Sequence, residues 1–382
     1  MKRLIPILTV AAALAMTSCG GSKSEPNLTK SGLDPANFVA EVDGKTTGLY
    51  TLKNDAGMEV CITNYGGRIV SIMVPDREGQ FRDVVLGFDS IASYLPENNQ
   101  TDFGAAIGRY ANRIKDGKFV LNGDTVKLPT NIFGHTLHGG PTGWQYQVYE
   151  VKEATDSTLS LVMNSPAGDN GFPGAVTATV EYRLDNENAL HITYTGQSDS
   201  PTVYNPTNHS YFNLNADPSK PITDNVLYVL ADGYTPVDST FMTTGEIAAV
   251  SGTPFDFKMP HAIGDSIDVD FVQIKNGNGY DHNWVLATGG KLDVLASKLV
   301  SPSTGIGLEV YTNEPGIQIY TGNFLDGTVT GKNGKVYNKR AAICLETQKY
   351  PNTPNNPQWP SATLNPGQTI TSQCIFKFTV EK

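Results

Sequence analysis

From about Val39 onward the chain alternates apolar and polar residues with a period of two. Leu159, Leu161 and Met163 share one side of such a run, as do Val176, Ala178 and Val180, then Leu190, Ile192 and Tyr194, and finally Cys374, Phe376 and Phe378. In an extended chain successive side chains point to opposite faces, so each run predicts a strand with one buried face. Between the runs stand Asn64-Tyr65-Gly66-Gly67, Asn122-Gly123-Asp124, Asp185-Asn186-Glu187-Asn188, Asn276-Gly277-Asn278-Gly279 and Lys332-Asn333-Gly334-Lys335. Asn, Asp and Gly accept the backbone conformations of tight reversals, and several of these clusters read as hairpin turns. The best helical stretch, Asp89 to Leu95, is too short to be stable alone. Strands at close spacing without alternating helices predict an all-β fold, a large antiparallel β-sandwich, and one such domain holds roughly 200–250 residues.

The N-terminus departs from this pattern. Lys2 and Arg3 precede a nearly unbroken apolar stretch from Leu4 to Met16, and Thr17 and Ser18 precede Cys19. This is the layout of an export signal, and the stretch is too short to span a bilayer. Small residues before a Cys resemble a bacterial lipobox, although Met16 stands where Leu is usual; a secretory signal with a coincidental Cys is the alternative. Residues 1–18 are expected to be a lipoprotein-type signal peptide and Cys19 the lipidated residue. Residues 19–37, rich in Gly, Ser, Lys, Asn and Pro, are expected to be a flexible tether, and 38–382 the folded domain. The expected location is the bacterial cell envelope, lipid-anchored and facing the periplasm, or otherwise the secreted fraction.

Composition narrows the partners. With 28 Lys+Arg against 38 Asp+Glu the formal charge is -10, which disfavours nucleic acid. Cys61, Cys344 and Cys374 lie in apolar runs without metal-ligand spacing and read as core thiols. A monomer is expected.

Candidate chemistry sits in polar residues set among Gly, Pro and Asn. Gly108-Arg109-Tyr110-Ala111-Asn112-Arg113-Ile114 offers two guanidinium groups around an amide, and Thr136-Leu137-His138-Gly139-Gly140 puts a His where glycines let the backbone approach a ligand. Asn205-Pro206-Thr207-Asn208-His209-Ser210-Tyr211-Phe212-Asn213-Leu214, if extended, places His209, Tyr211 and Asn213 on one face. In Gly279-Tyr280-Asp281-His282-Asn283-Trp284 only one of Asp281 and His282 can face a given pocket, and the run after Asn313-Glu314-Pro315-Gly316 presents Gln318 and Tyr320 together. Glu346, in Cys344-Leu345-Glu346-Thr347-Gln348, follows an apolar run and is expected to be partly buried, where a carboxylate needs a partner or a task.

Taken in order, these segments resemble the aldose 1-epimerase (galactose mutarotase) family across almost the whole mature chain. The Asn-Pro-Thr-Asn-His-Ser-Tyr-Phe-Asn-Leu and Leu-Glu-Thr-Gln segments are the specific ones. Asn352, where the family commonly has Asp, and Trp144 and Trp359, where smaller aromatics are frequent, are departures that bear on substrate range. The resemblance implies a β-sandwich with an open sugar-binding cleft and interconversion of the α and β anomers of free aldohexoses such as glucose and galactose. It further implies His209 as general acid and Glu346 as general base, with Asn112, Arg113, His138, Tyr211, Asp281 and Gln318 holding the monosaccharide. Ring opening moves protons only and requires no cofactor; Ca²⁺ bound by an acidic loop such as Asp265 to Asp270 is conceivable but has no supporting motif. An ordinary His, with a pKa near ~6.5, is mostly deprotonated at neutral pH. A nearby anion, Glu346, Asp281 or Glu314, is therefore expected to raise His209. The alternative is a carbohydrate-binding protein without catalysis, against which the presence of both an acid and a base argues.

Overall fold

The paired strands of every sheet run antiparallel. The computed structural model describes residues 27–382. Its largest sheet has nine strands, in the order Glu150–Ala154, Thr158–Ser165, Val176–Leu184, Ala189–Ser198, Ile370–Val380, Ile306–Thr312, Ser297–Val300, Val226–Val229 and His261–Ala262. The C-terminal strand thus lies in the middle of the sheet, between segments far away in sequence. The alternation read from the sequence is the burial pattern: Leu159, Leu161, Ala178, Val180, Leu190, Ile192 and Phe376 are buried, while Thr177, Glu181 and Arg183 face water.

A second, six-stranded sheet follows the order Tyr211–Phe212, Ile343–Gln348, Gly316–Tyr320, Asp281–Leu286, Ala231–Thr235 and Ala248–Ala249. Its apolar side, with Phe212, Trp284, Ile317, Ile319, Ile343 and Leu345, joins the main core shared with the first sheet. The Phe212 ring lies 5.0 Å from Phe376 and 6.4 Å from Phe378, which ties the layers together. A four-stranded sheet from Leu49 to Asp83 completes the body, and Tyr182 of the large sheet donates its hydroxyl to the Gly67 carbonyl at 2.6 Å. The antiparallel β-sandwich expected from the sequence is the fold.

Two expectations need correction. The expected tether reaches too far, because residues 29–37 pack on the body. Leu33 is 2 % exposed, the Lys30 amide donates to Glu59 at 2.6 Å, and Asp34 caps a 3-10 turn, Pro35–Phe38, by accepting from Ala36 at 2.9 Å. A composition rich in small and polar residues does not preclude order when one Leu finds the core. Residues 1–26, with the signal segment and Cys19, lie outside the described residues. The helical stretch at Asp89 to Leu95 is a 3-10 turn, Ile91–Tyr94, and the α-helix of the described residues, Val272–Gly277, has too few residues to show a period.

If Leu33 belongs to the core, Leu33→Ala removes buried apolar volume and is expected to cost about 2–3 kcal/mol. Urea unfolding followed by circular dichroism measures it; an unchanged midpoint would return this segment to the tether.

Candidate active site

The face of the six-stranded sheet opposite the core carries the polar residues. Antiparallel register sets Tyr211 beside Cys344, Cys344 beside Tyr320, Tyr320 beside Asp281, and Glu346 beside Gln318. Paired residues in a sheet share a face, so this register collects side chains from four strands. The strands Gly316–Tyr320 and Ile343–Gln348 are buried throughout, so their polar face is covered by other parts of the chain.

The cover comes from segments outside that sheet, between Ala105 and His209. Thr207–His209 pairs with Ala105–Ile107, and Arg113–Ile114 pairs with Thr136–Leu137, which brings His209, Arg113 and His138 over the sheet. Between cover and sheet lies a cavity of about 360 Å³ lined by Asn112, Arg113, His138, His209, Tyr211, Asp281 and Glu346, among others. Its size suits a small molecule. His209 Nε2 lies 3.5 Å from Glu346 Oε1, the His209 ring stacks on Tyr211 at 5.1 Å, and the His138 ring meets it edge-on at 5.1 Å. The remaining atoms of the pair, His209 Nδ1 and Glu346 Oε2, are buried with no hydrogen-bond partner among the described residues.

The chain matches the aldose 1-epimerase family model over residues 48–377. It is 41 % identical over 337 residues to the galactose mutarotase of Mus musculus, covering 88 % of this chain and 95 % of that one. It is 36 % identical over 341 residues to the aldose 1-epimerase of Escherichia coli, covering 89 % and 97 %. Among solved structures, the GalM/aldose epimerase homologue from C. elegans superposes with a TM-score of 0.82 at 29 % identity, covering 88 % of this chain and 100 % of that one. The galactose 1-epimerase from Lactobacillus acidophilus superposes at 0.79 with 30 % identity, covering 90 % and 97 %.

The chain belongs to the aldose 1-epimerase family. It is an isomerase that interconverts anomers, a reaction that uses no cofactor.

An aldose 1-epimerase site must hold a neutral sugar and move protons, and the surroundings of the cavity residues show how each is equipped. Asn112 has a positive φ of 60°, and its Oδ1 accepts from the Arg113 amide at 2.8 Å, which fixes the turn that presents the guanidinium. Burial lowers the Arg113 pKa, while Asp281 and Glu346 oppose this. His138 Nδ1 accepts from the Asn112 amide at 3.2 Å, so its proton sits on Nε2 and the ring is a donor on that side. Burial, aided by His209 and Arg113, holds the His138 pKa well below its ordinary value. Asp281 is pushed up by burial and steadied by Arg113 and by Gln318, whose Nε2 donates to its Oδ1 at 2.7 Å.

Several sequence candidates take other roles. Gln318 stands behind Asp281 and orients it instead of lining the cavity. Arg109 is buried and donates to the carbonyls of Pro173, Gly174 and Pro166 and to Ser165 Oγ, so it clamps the Gly168 to Gly174 loop and is a structural residue. Asn213 donates to the Ala341 carbonyl at 2.7 Å, away from the cavity. His282 turns to the opposite side from Asp281, toward Gln273 at 3.2 Å. In the acidic loop considered for Ca²⁺, Asp268 and Asp270 are paired with Arg340 and Lys275. Cys61, Cys344 and Cys374 are free buried thiols.

Of the three anions expected to raise His209, Glu346 lies 3.5 Å from its Nε2 and Asp281 lines the same cavity. Glu314 is bound to Lys349 at 3.1 Å and does not line the cavity. Burial lowers the His209 pKa, and Asp102, a cavity residue no motif marked, opposes this. Burial also raises Glu346 well above its ordinary value, reinforced by Asp281 and Asp102 and opposed by Arg113. Phe133 and Phe324 at the rim, both more than half exposed, were likewise missed as wall residues. Only the acid next to the glycine-bearing turn at Phe103-Gly104 offered a trace of a signal.

The raised Glu346 pKa has a consequence for stability. Near and below about pH 4.3 folded and unfolded states both carry a protonated Glu346. As pH rises the unfolded chain releases that proton freely while the folded chain resists, so stability is lost up to the folded pKa. Glu346→Gln is therefore expected to be more stable than the parent, by roughly 1–3 kcal/mol at pH 8, with the gap shrinking toward pH 4. Thermal melts across pH check the sign, and a variant less stable at pH 8 would contradict it.

Proposed function

We propose that this aldose 1-epimerase acts on free aldohexoses, glucose and galactose among them, with His209 as acid and Glu346 as base. The observation that carries the assignment is the 3.5 Å approach of His209 Nε2 to Glu346 Oε1 inside a cavity that also holds Arg113, His138 and Asp281. A sugar bound there has its C1 hydroxyl and ring oxygen within reach of two groups of opposite proton-transfer sense. Glu346 removes the proton from the C1 hydroxyl, that O–H electron pair becomes the second bond of the C1 carbonyl, and the C1–O5 bond breaks. The departing pair on O5 takes the proton of the His209 imidazolium. Rotation about C1–C2 presents the other carbonyl face, and the same proton movements reversed close the ring as the other anomer.

Burial bears on this cycle. After ring opening Glu346 is protonated and His209 neutral, so the pair carries no charge, and that is the form low polarity favours for both groups. The ring-opening step therefore discharges two buried charges at once. In this reading Arg113 and His138, which line the cavity, serve as donors and Asp281 as an acceptor for the remaining hydroxyls. A carbohydrate-binding protein without turnover would have no need of an acid and a base in contact.

Export is proposed on the basic, apolar and small-residue run that ends at Cys19. The protein then works as a monomer outside the cytoplasm, held by a lipid on that residue. Cys19→Ser is expected to move it from the membrane to the soluble fraction of cells, as immunoblots of the two fractions report.

His209→Asn and Glu346→Gln are each expected to lower kcat/KM by a factor of roughly 10³ or more, since each removes one proton transfer. Polarimetry of freshly dissolved α-D-glucose and α-D-galactose measures the rate, with circular dichroism to confirm folding. For the parent, kcat/KM is expected to be bell-shaped in pH. Activity falls on the acid side as the pair takes a second proton and on the alkaline side as it loses the one it shares. A flat profile would defeat the assignment.

A further inference from the structure

We propose that Asp102 is a positioning residue of the reaction, an anion set beside His209 that stabilises the imidazolium form from which the ring oxygen is protonated. The inference rests on the mutarotase reading above. One Asp102 carboxylate oxygen, one ring nitrogen of His209 and one of His138 all lie within 4.8 Å of one another. Asp102 lines the cavity, its Oδ1 is buried without a hydrogen-bond partner, and among the described residues no cation lies within ion-pair distance of it. Asp102 as a whole is half-buried, and a carboxylate oxygen shut away from water without a partner is costly unless a charge or a ligand answers it.

The placement is built, not incidental. Arg68 donates through one terminal nitrogen to the carbonyls of Thr101 and Phe103, both at 3.0 Å, and so grips the backbone on either side of Asp102. The Gly104 amide donates to the His209 carbonyl at 3.0 Å, and Ala105 pairs with His209 in the ladder. Gly104 turns at φ +70°, and a Cβ there would lie 2.0 Å from the Ile69 carbonyl oxygen, so this turn requires glycine. The same strand contact therefore fixes Asp102 and His209 together.

Other groups face the pair and set the sign. Glu346, Cys344 and Tyr211 come from the sheet, and His138 is neutral. Arg68 and Arg113 are cations that oppose protonation of the pair, and Asp281 acts on Glu346 from the far wall. Asp102 acts on both members, favouring the proton on each. Removing its charge should therefore make the pair release its proton at lower pH.

The test is the pH profile of kcat/KM for α-D-glucose, by polarimetry, in the parent, Asp102→Asn and Asp102→Glu. Asp102→Asn is expected to shift the alkaline limb down by about one pH unit, with a loss of activity that grows with pH; Asp102→Glu should restore the limb. If Asn misfolds, as circular dichroism would report, Asp102→Ser serves the same comparison. A rise in KM or a uniform loss with the limb unmoved would overturn the inference, since it would mark Asp102 as a sugar contact or a structural residue. An inactive parent would instead remove the reading on which it rests.

Discussion

The register between Gly316–Tyr320 and Ile343–Gln348 is the constraint on which the rest depends. Gln318 opposite Glu346 and Ile319 opposite Leu345 put a polar row on one face and an apolar row on the other. A slip of one residue would turn Glu346 into the core and Leu345 into the cavity, so the hydrophobic effect that holds the sandwich together also aims Glu346. The neighbouring strands obey the same rule, with Asp281 facing the cavity and His282, next to it, facing the core side.

That arrangement places charge where water is scarce. Arg113, Asp281, Glu346 and His209 are all buried, and each departs from its ordinary pKa mainly because of burial. Their mutual attractions oppose the cost only in part. The result is a site in which burial pushes each of these groups toward its neutral form. Stability is drawn from elsewhere: from the large sheet, from the layer contacts at Phe212, and from Arg109, whose guanidinium is spent on loop carbonyls.

The cover over the sheet is less regular than the sheet itself, and it supplies the histidines. His138 reaches the site through a short strand of two residues and a turn of glycines, and His209 through a three-residue strand. Such short pieces have little stability of their own, so they are held by specific hydrogen bonds such as those of Asn112, Asn208 and Arg68. This is why amides such as Asn112 and Asn208 hydrogen-bond the backbone that carries the cavity's cover.

Period-two alternation made the all-β class legible, because side-chain direction in a strand is local geometry. The motifs around His209 and Glu346 made these two side chains, which meet in the cavity, legible as candidates, because a His among Asn and Pro and a Glu behind an apolar run are unusual in plain turns. Arg109 and Arg113 could not be told apart in sequence, since both flank one turn and only the fold sends one to loop carbonyls and the other to the cavity. Gln318 was expected among the sugar contacts, and the fold gives it a hydrogen bond to Asp281 that no spacing foretold. Asp102 carried almost no local signal, and Leu33 sat in a segment whose composition read as tether. The sequence by itself determined which residues could do the chemistry. Only the tertiary structure decided which of them meet and in what charge state, because burial and distance are properties of chain segments that lie far apart until the sandwich closes.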